Sequence, residues 1–320
     1  MCAFLMKPKL LLLAALPMVL PALVAQAQFP VSEFAVDLTG AADLHLHTAP
    51  DVFDRSINDL EVARISRRYG LSAIVLKNHS HSTAGRAELV NQVVPGIDVY
   101  GGIVLNNTVG GINPAAVESM AALSPKYGKF VWLPTFDADF HKKQNGNQES
   151  GIEVVSNGTI IPELHQVLEL MAKHDLTLCT GHIAPESVLA VVKAAGEIGV
   201  RKILVTHGVT DVPGLSDLQI EQLIALKAKI ELTFLSTLAG PEAHVEFLRN
   251  SGKVSFQETA QLIKKYGAEH FVLTSDLGQS GNPIPPDGLK QFALGLLKQG
   301  ISQQEIRVMI VDNPMGLINK

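Results

Sequence analysis

From about Gly40 onward the chain repeats one pattern eight times: a short apolar run rich in Val, Ile and Leu, then an amphipathic stretch. The apolar runs are Ala41–His47, Leu71–Lys77, Val99–Leu105, Phe130–Thr135, Leu176–His182, Lys202–His207, Ile230–Leu235 and Phe271–Asp276. Apolar residues fill both alternating positions, as parallel strands covered on both faces require. Between them lie helical patterns such as Asn58–Tyr69, Ala84–Val94, Pro114–Leu123, Pro162–His174, Glu186–Ile198, Asp217–Ala228 and Ser255–Tyr266. Pro114, Pro162 and Pro185 stand where a first helical turn accepts proline. Gly288–Gln299 and Ser302–Val311 complete the helical layer. The order predicts an α/β chain folded as one (β/α)8 TIM barrel over residues 28–320. A doubly wound open sheet would want a GxGxxG turn after its first strand, and the chain has none there.

With 320 residues, 47% of them hydrophobic, the chain can bury a core of that size. A formal charge of −5 gives no reason to expect nucleic acid or an anionic membrane as partner. A small-molecule substrate is the expected partner, and self-association into a homo-oligomer is compatible with the sequence.

Residues 1–27 read differently. Lys7 and Lys9 precede the apolar run Leu10–Val24, and Ala25-Gln26-Ala27 offers a cleavage site. This is the layout of a secretory signal peptide, cleaved before Gln28, with a periplasmic or secreted product. The apolar run is short for a bilayer span, and Pro17 and Pro21 interrupt it, so no stable membrane anchor is expected. Cleavage removes two lysines and no acid, taking the charge from −5 to −7. Cys2 goes with it, and Cys179, inside an apolar run, then reads as a core thiol with no disulfide partner.

Barrel enzymes carry their chemistry at the C-terminal ends of the strands. Of 11 histidines, six stand at or just past such ends: His45, His47, His79, His81, His182 and His207. Asp276 closes the eighth run. His45 and His47, two apart on one strand, face the same side and can close on one metal ion. The other five histidines, His141 among them, fall in loops or helices and need no special role. The long connection Phe136–Ile161 reads as a lid or substrate-contacting excursion, or else a solvated loop. His81 reads as a solvent-facing loop residue. Lys77, Arg86, Lys142 and Lys143 are candidate anion contacts at the mouth.

In this order, DLHLHT after strand one, CTGH after strand five, LVTHG after strand six and LTSDLG after strand eight, the chain resembles the amidohydrolase superfamily of metal-dependent hydrolases. The closing DNPMGLI is similar to the turn and short helix that often end such proteins. The resemblance implies that His45, His47 and Asp276 hold one divalent metal, with His182 and His207 holding a second or contacting substrate. Imidazole and carboxylate suit zinc, with manganese, iron or nickel as alternatives. Asp276 would be the catalytic base toward a metal-activated water attacking a small amide, lactone or related carbonyl.

One departure stands out. Many relatives bridge two metals with a carboxylated lysine or glutamate at the end of strand four. Here that strand runs Phe130-Val131-Trp132-Leu133-Pro134-Thr135-Phe136-Asp137, whose nearest acid is Asp137. Lys77, ending strand two, is the other candidate: a carboxylated bridge, or a cation for an acidic substrate group. DLHLHT followed by LKNH also resembles the polymerase-and-histidinol-phosphatase family. That resemblance would make His79 a metal ligand and Asp98 its acidic third motif, and it implies phosphoester hydrolysis. A barrel that binds metal or solute without turnover is the non-enzymatic alternative.

Overall fold

The computed structural model describes residues 35–319, so the predicted signal peptide lies outside the described residues. Eight parallel strands form one sheet whose spatial order follows the chain. They are β1 (Ala42–His47), β2 (Ala73–Lys77), β3 (Asp98–Val104), β4 (Gly128–Trp132), β5 (Thr177–Cys179), β6 (Lys202–Val205), β7 (Lys229–Thr233) and β8 (Phe271–Thr274). The sheet closes on itself between β1 and the end of β8. There Asp276 N donates to His45 O, and His47 N to Leu277 O, both at 2.8 Å. Among the described residues no helix is long and apolar enough to cross a membrane.

Two concentric cores follow from strand alternation. Leu44, Val75, Phe130, Trp132, Cys179 and Val272 point into the barrel. Ile74, Leu76, Val131, Ile203, Ile230 and Leu273 point outward against the helices. Cys179 is thus a core thiol, and burial pushes its pKa well above the ordinary value. At the barrel floor, Thr177 donates to Leu317 O at 2.7 Å, which ties down the closing helix Asn313–Ile318.

The helices start where the sequence marks them. Pro114, Pro162 and Pro185 each open a helix. Ser216, Ser255 and Ser302 each form a capping box with the residue three further on, which satisfies two otherwise orphaned backbone donors. The segment predicted to run over Ser302–Val311 is broken by a π turn at Val308–Asp312 before the last helix.

Six strands end sooner than expected, and three of these ends shape the site. β5, β6 and β8 stop at Cys179, Val205 and Thr274, so His182, His207 and Asp276 stand in the turns beyond. His207 and Asp276 adopt positive φ, 28° and 52°, which no strand permits. The left-handed turn swings each side chain over the mouth instead of along the barrel wall. Gly278, at φ 129°, then passes so close to β1 that a Cβ on it would lie 1.9 Å from His47 O. Only glycine fits there.

Candidate metal centre

At the mouth, His45, His47 and Asp276 converge. One ligand atom from each lies within 4.8 Å of the others, and all three residues are buried. The meeting point is Asp276 Oδ1, 2.9 Å from His45 Nε2 and 3.2 Å from His47 Nε2. β1 supplies both rings because its register shifts between Asp43 and Leu46, which turns Leu44 and then His45 inward. Two imidazoles and a carboxylate oxygen form a donor set that fits a divalent ion, with a position left open for water or substrate.

The charges set which of these ligands is ready to bind. Burial opposes ionisation of Asp276, but the His45 charge and the bonds from both rings hold its carboxyl well below the usual range. Burial likewise opposes a charge on His45, yet the carboxylates of Asp276 and Glu231 raise its pKa to about 9. Burial pushes His47, His79 and His182 well below an ordinary histidine, and His207 below it as well. His47, His79, His182 and His207 are therefore held neutral, whereas His45 must shed a proton before it can bind an ion. A neutral imidazole is the form that binds metal.

His182 and His207 form a pair beside this triad, Nε2 to Nε2 at 3.1 Å. The His207 and His45 rings lie 6.3 Å apart, inclined at 25°. Lys77 is fully inside the barrel, with Nζ 2.8 Å from His45 Nε2, and burial lowers its pKa. His79 is sandwiched between His47, at 4.9 Å, and Phe136, at 4.2 Å. Its Nδ1 meets Thr135 Oγ1 at 2.8 Å.

Other expectations change. Asp137 is held by the backbone N of Asn107 at 2.8 Å and is no part of the centre. Asp98 is the exposed first residue of β3, at the far end of the barrel, so it cannot complete a site with His79. His81 is not simply solvent-facing: its Nε2 lies 3.0 Å from Arg86 Nη1. Arg86 is itself bound to both oxygens of Asp59 and is not free for an anion. Lys143 pairs with Asp139 at 2.5 Å, and Lys142 with Ser150 O at 3.3 Å.

His141, assigned no role above, reaches the mouth. The Phe136–Ile161 connection holds a short helix, Asp139–Gln144, that brings His141 Nδ1 to 3.0 Å from His182 Nδ1. Burial, then the neighbouring His207, lowers its pKa to about 4.

Two further residues join the centre without having been singled out in the sequence. Glu231, 1% exposed, points inward from β7. Its Oε1 accepts from His45 Nδ1 and Thr274 Oγ1, both at 2.9 Å, and its Oε2 from His207 N at 2.9 Å. The signal was available: an acid at an inward position of a buried strand. Arg55, in the loop after β1, comes within 3.5 Å of His47 Nδ1 and had no such signal.

The fold and the centre together define a parallel (β/α)8 barrel with a buried His–His–Asp cluster able to hold one divalent ion. Solved structures share this fold. Organophosphorus hydrolase from Deinococcus radiodurans is 14% identical over 89% of this chain and 94% of its own, with a TM-score of 0.55. An amidohydrolase from Pseudomonas aeruginosa is 10% identical over 87% and 95%, also at 0.55. A weak promiscuous lactonase template engineered for organophosphate hydrolysis is 14% identical over 89% and 98%, again at 0.55. At these identities the likeness shows the shared (β/α)8 fold. No curated protein matches the sequence. Residues 40–231, more than half of the chain, match the family of unknown function DUF6282, and the chain belongs to that family.

Proposed function

We propose that the chain is an exported metal-dependent hydrolase of the amidohydrolase type, acting on a small-molecule amide, lactone or related carbonyl. The observation that carries this reading is the convergence of His45 Nε2, His47 Nε2 and Asp276 Oδ1 at the barrel mouth. His45, His47 and Asp276 would hold a divalent ion, zinc by preference, which when bound would supply Lewis acidity and acidify a water. Asp276 uses Oδ1 toward the two rings, while Oδ2 has no partner among the described residues and the side chain is 11% exposed. That free oxygen is the base that takes a proton from the attacking water and returns it to the leaving group. Glu231 keeps the Nδ1 proton of His45 in place, so that Nε2 faces the centre.

His182 and His207 hold a second ion or contact the substrate. Lys77, a buried amine with lowered pKa, would in its neutral form add CO₂ and release one proton to solvent, and the resulting carbamate would supply the anionic ligand that β4 lacks. Phosphoester hydrolysis is the second reading, favoured by the organophosphorus hydrolase that shares the fold. Export rests on residues 1–27 alone.

The test is a panel of amides, lactones and phosphoesters offered to metal-loaded protein. The proposal expects turnover of at least one class, abolished by chelator. Asp276→Asn keeps the shape and one ligand oxygen, and should slow turnover by roughly 10²–10⁴-fold. No turnover at full metal occupancy would leave a metal-binding barrel without catalysis.

A further inference from the structure

We propose that Arg55 is the anion-recognition residue of this centre, so that the substrate carries a carboxylate or phosphoryl group beside the bond that is cleaved. The inference rests on the metal-centre reading above and adds the substrate's charge to it.

Arg55 lies in the loop between β1 and the following helix, yet its side chain is only 4% exposed. One edge is clamped: Nε donates to Asp51 Oδ2 at 2.7 Å. Asp51 is itself fixed, its other oxygen accepting from Val52 N at 2.6 Å. The loop is pinned across the mouth by a bridge between Arg55 and Gln279, three residues past Asp276. The clamp thus orients the guanidinium and fills only one of its five N–H donors.

The remaining edge meets no acceptor oxygen among the described residues. Nη2 lies 3.5 Å from His47 Nδ1, and the guanidinium carbon lies 5.5 Å from the centre of the Phe53 ring. In the structure His47 Nε2 faces a carboxylate, so Nε2 carries the proton and Nδ1 can accept weakly from Arg55. The guanidinium N–H groups that Asp51 leaves unfilled therefore stand beside the His–His–Asp cluster without an acceptor oxygen, and a substrate oxyanion is a group that satisfies them.

The surroundings agree. Of the other cations near the mouth, Arg86 is taken by Asp59 and Lys143 by Asp139, while Lys77 lies inside the barrel with its Nζ 2.8 Å from His45 Nε2. Phe53 and Phe136, 5.8 Å apart and nearly perpendicular, form a wall next to His79. A small body attached to the anion can rest on that wall.

A purely structural Arg55 would hold its loop through Asp51 and do nothing else. The experiment separates the two. Full-length wild-type, Arg55→Met and Arg55→Lys proteins are metal-loaded, their metal content and thermal midpoint are measured, and each is titrated calorimetrically with inorganic phosphate and with acetate. The proposal expects wild type to bind at least one anion, and Arg55→Met to bind it about ten- to a hundredfold more weakly at equal metal content. Arg55→Lys keeps the charge without the fork, so its loss is smaller; it decides the matter if Arg55→Met fails to fold. The anion that loses more identifies the group the site is built for. Equal affinities in the three proteins, or no binding of either anion to metal-loaded wild type, overturn the proposal and leave the metal centre standing. A folded wild type that takes up no metal overturns both readings.

Discussion

Replacing Glu231 by Gln tests how the centre is held together, and two opposing effects can be worked out from its contacts. The carboxylate accepts from His45 Nδ1 and Thr274 Oγ1 on one oxygen and from His207 N on the other. A glutamine has a single acceptor oxygen, so whichever way the amide turns, an NH₂ faces at least one of these donors. Losing a buried charge-assisted bond costs about 1.5–3 kcal/mol. Loss of such a carboxylate behind a metal-binding histidine typically lowers affinity about 10–100-fold. The opposing effect is proton competition. Asp276 and Glu231 are what raise His45 to about 9 in the metal-free centre, so at neutral pH a proton must leave before metal binds. Removing Glu231 lowers His45 and relieves part of that competition. Lost ligand strength should win, because the carboxylate of Asp276 remains to hold the proton. The deficit is therefore full at pH 9, where competition has faded, and smaller at pH 7. Competition against a chromophoric chelator at both pH values measures it. Equal affinity in Glu231→Gln, or a larger deficit at pH 7 than at pH 9, would refute the reasoning.

Other consequences follow from the same geometry. In the wild type, metal affinity should climb about tenfold per pH unit toward pH 9, since His45 is raised and must deprotonate to bind; a flat profile between pH 6 and 8 counts against its being a ligand. Gly278→Ala places a Cβ against His47 O at an unfavourable φ, and should destabilise the fold by roughly 3 kcal/mol or more in a denaturant titration; an unchanged midpoint is the contrary result. Protein from a periplasmic extract should show an intact mass that begins at Gln28, whereas a chain retaining Leu10–Val24 contradicts export with cleavage.

The barrel was legible because strands buried on both faces leave unbroken apolar runs, and all eight strands lie within or overlap the segments read from those runs. His45 and His47 were legible for a related reason: the spacing of two that sets strand facing also sets theirs. Beyond the first two strands, which end at His47 and Lys77 as read, the strand ends were not. Hydropathy continues through Thr180 and Thr206, while the backbone has already left extended geometry, with Gly181 at φ 64° and His207 at φ 28°. His141 escaped notice because a loop helix, not a strand, carries it across the mouth. Arg55 is placed by a local clamp to Asp51, four residues away, and nothing in the spacing distinguishes that pair from a surface ion pair. Glu231 is the instructive case. An acid at an inward barrel position cannot be neutral to stability without partners, and the partners turn out to be two of the histidines.

The most direct test is the metal itself. Chelator-free protein, wild type and His47→Ala, is purified in parallel, and bound transition metal per folded chain is measured by elemental mass spectrometry. The account predicts at least about one divalent ion per wild-type chain and a loss of most of it in His47→Ala, because three ligands with one removed no longer enclose an ion. Equal metal in both proteins, or a folded wild type that neither carries nor takes up a divalent ion, would contradict it.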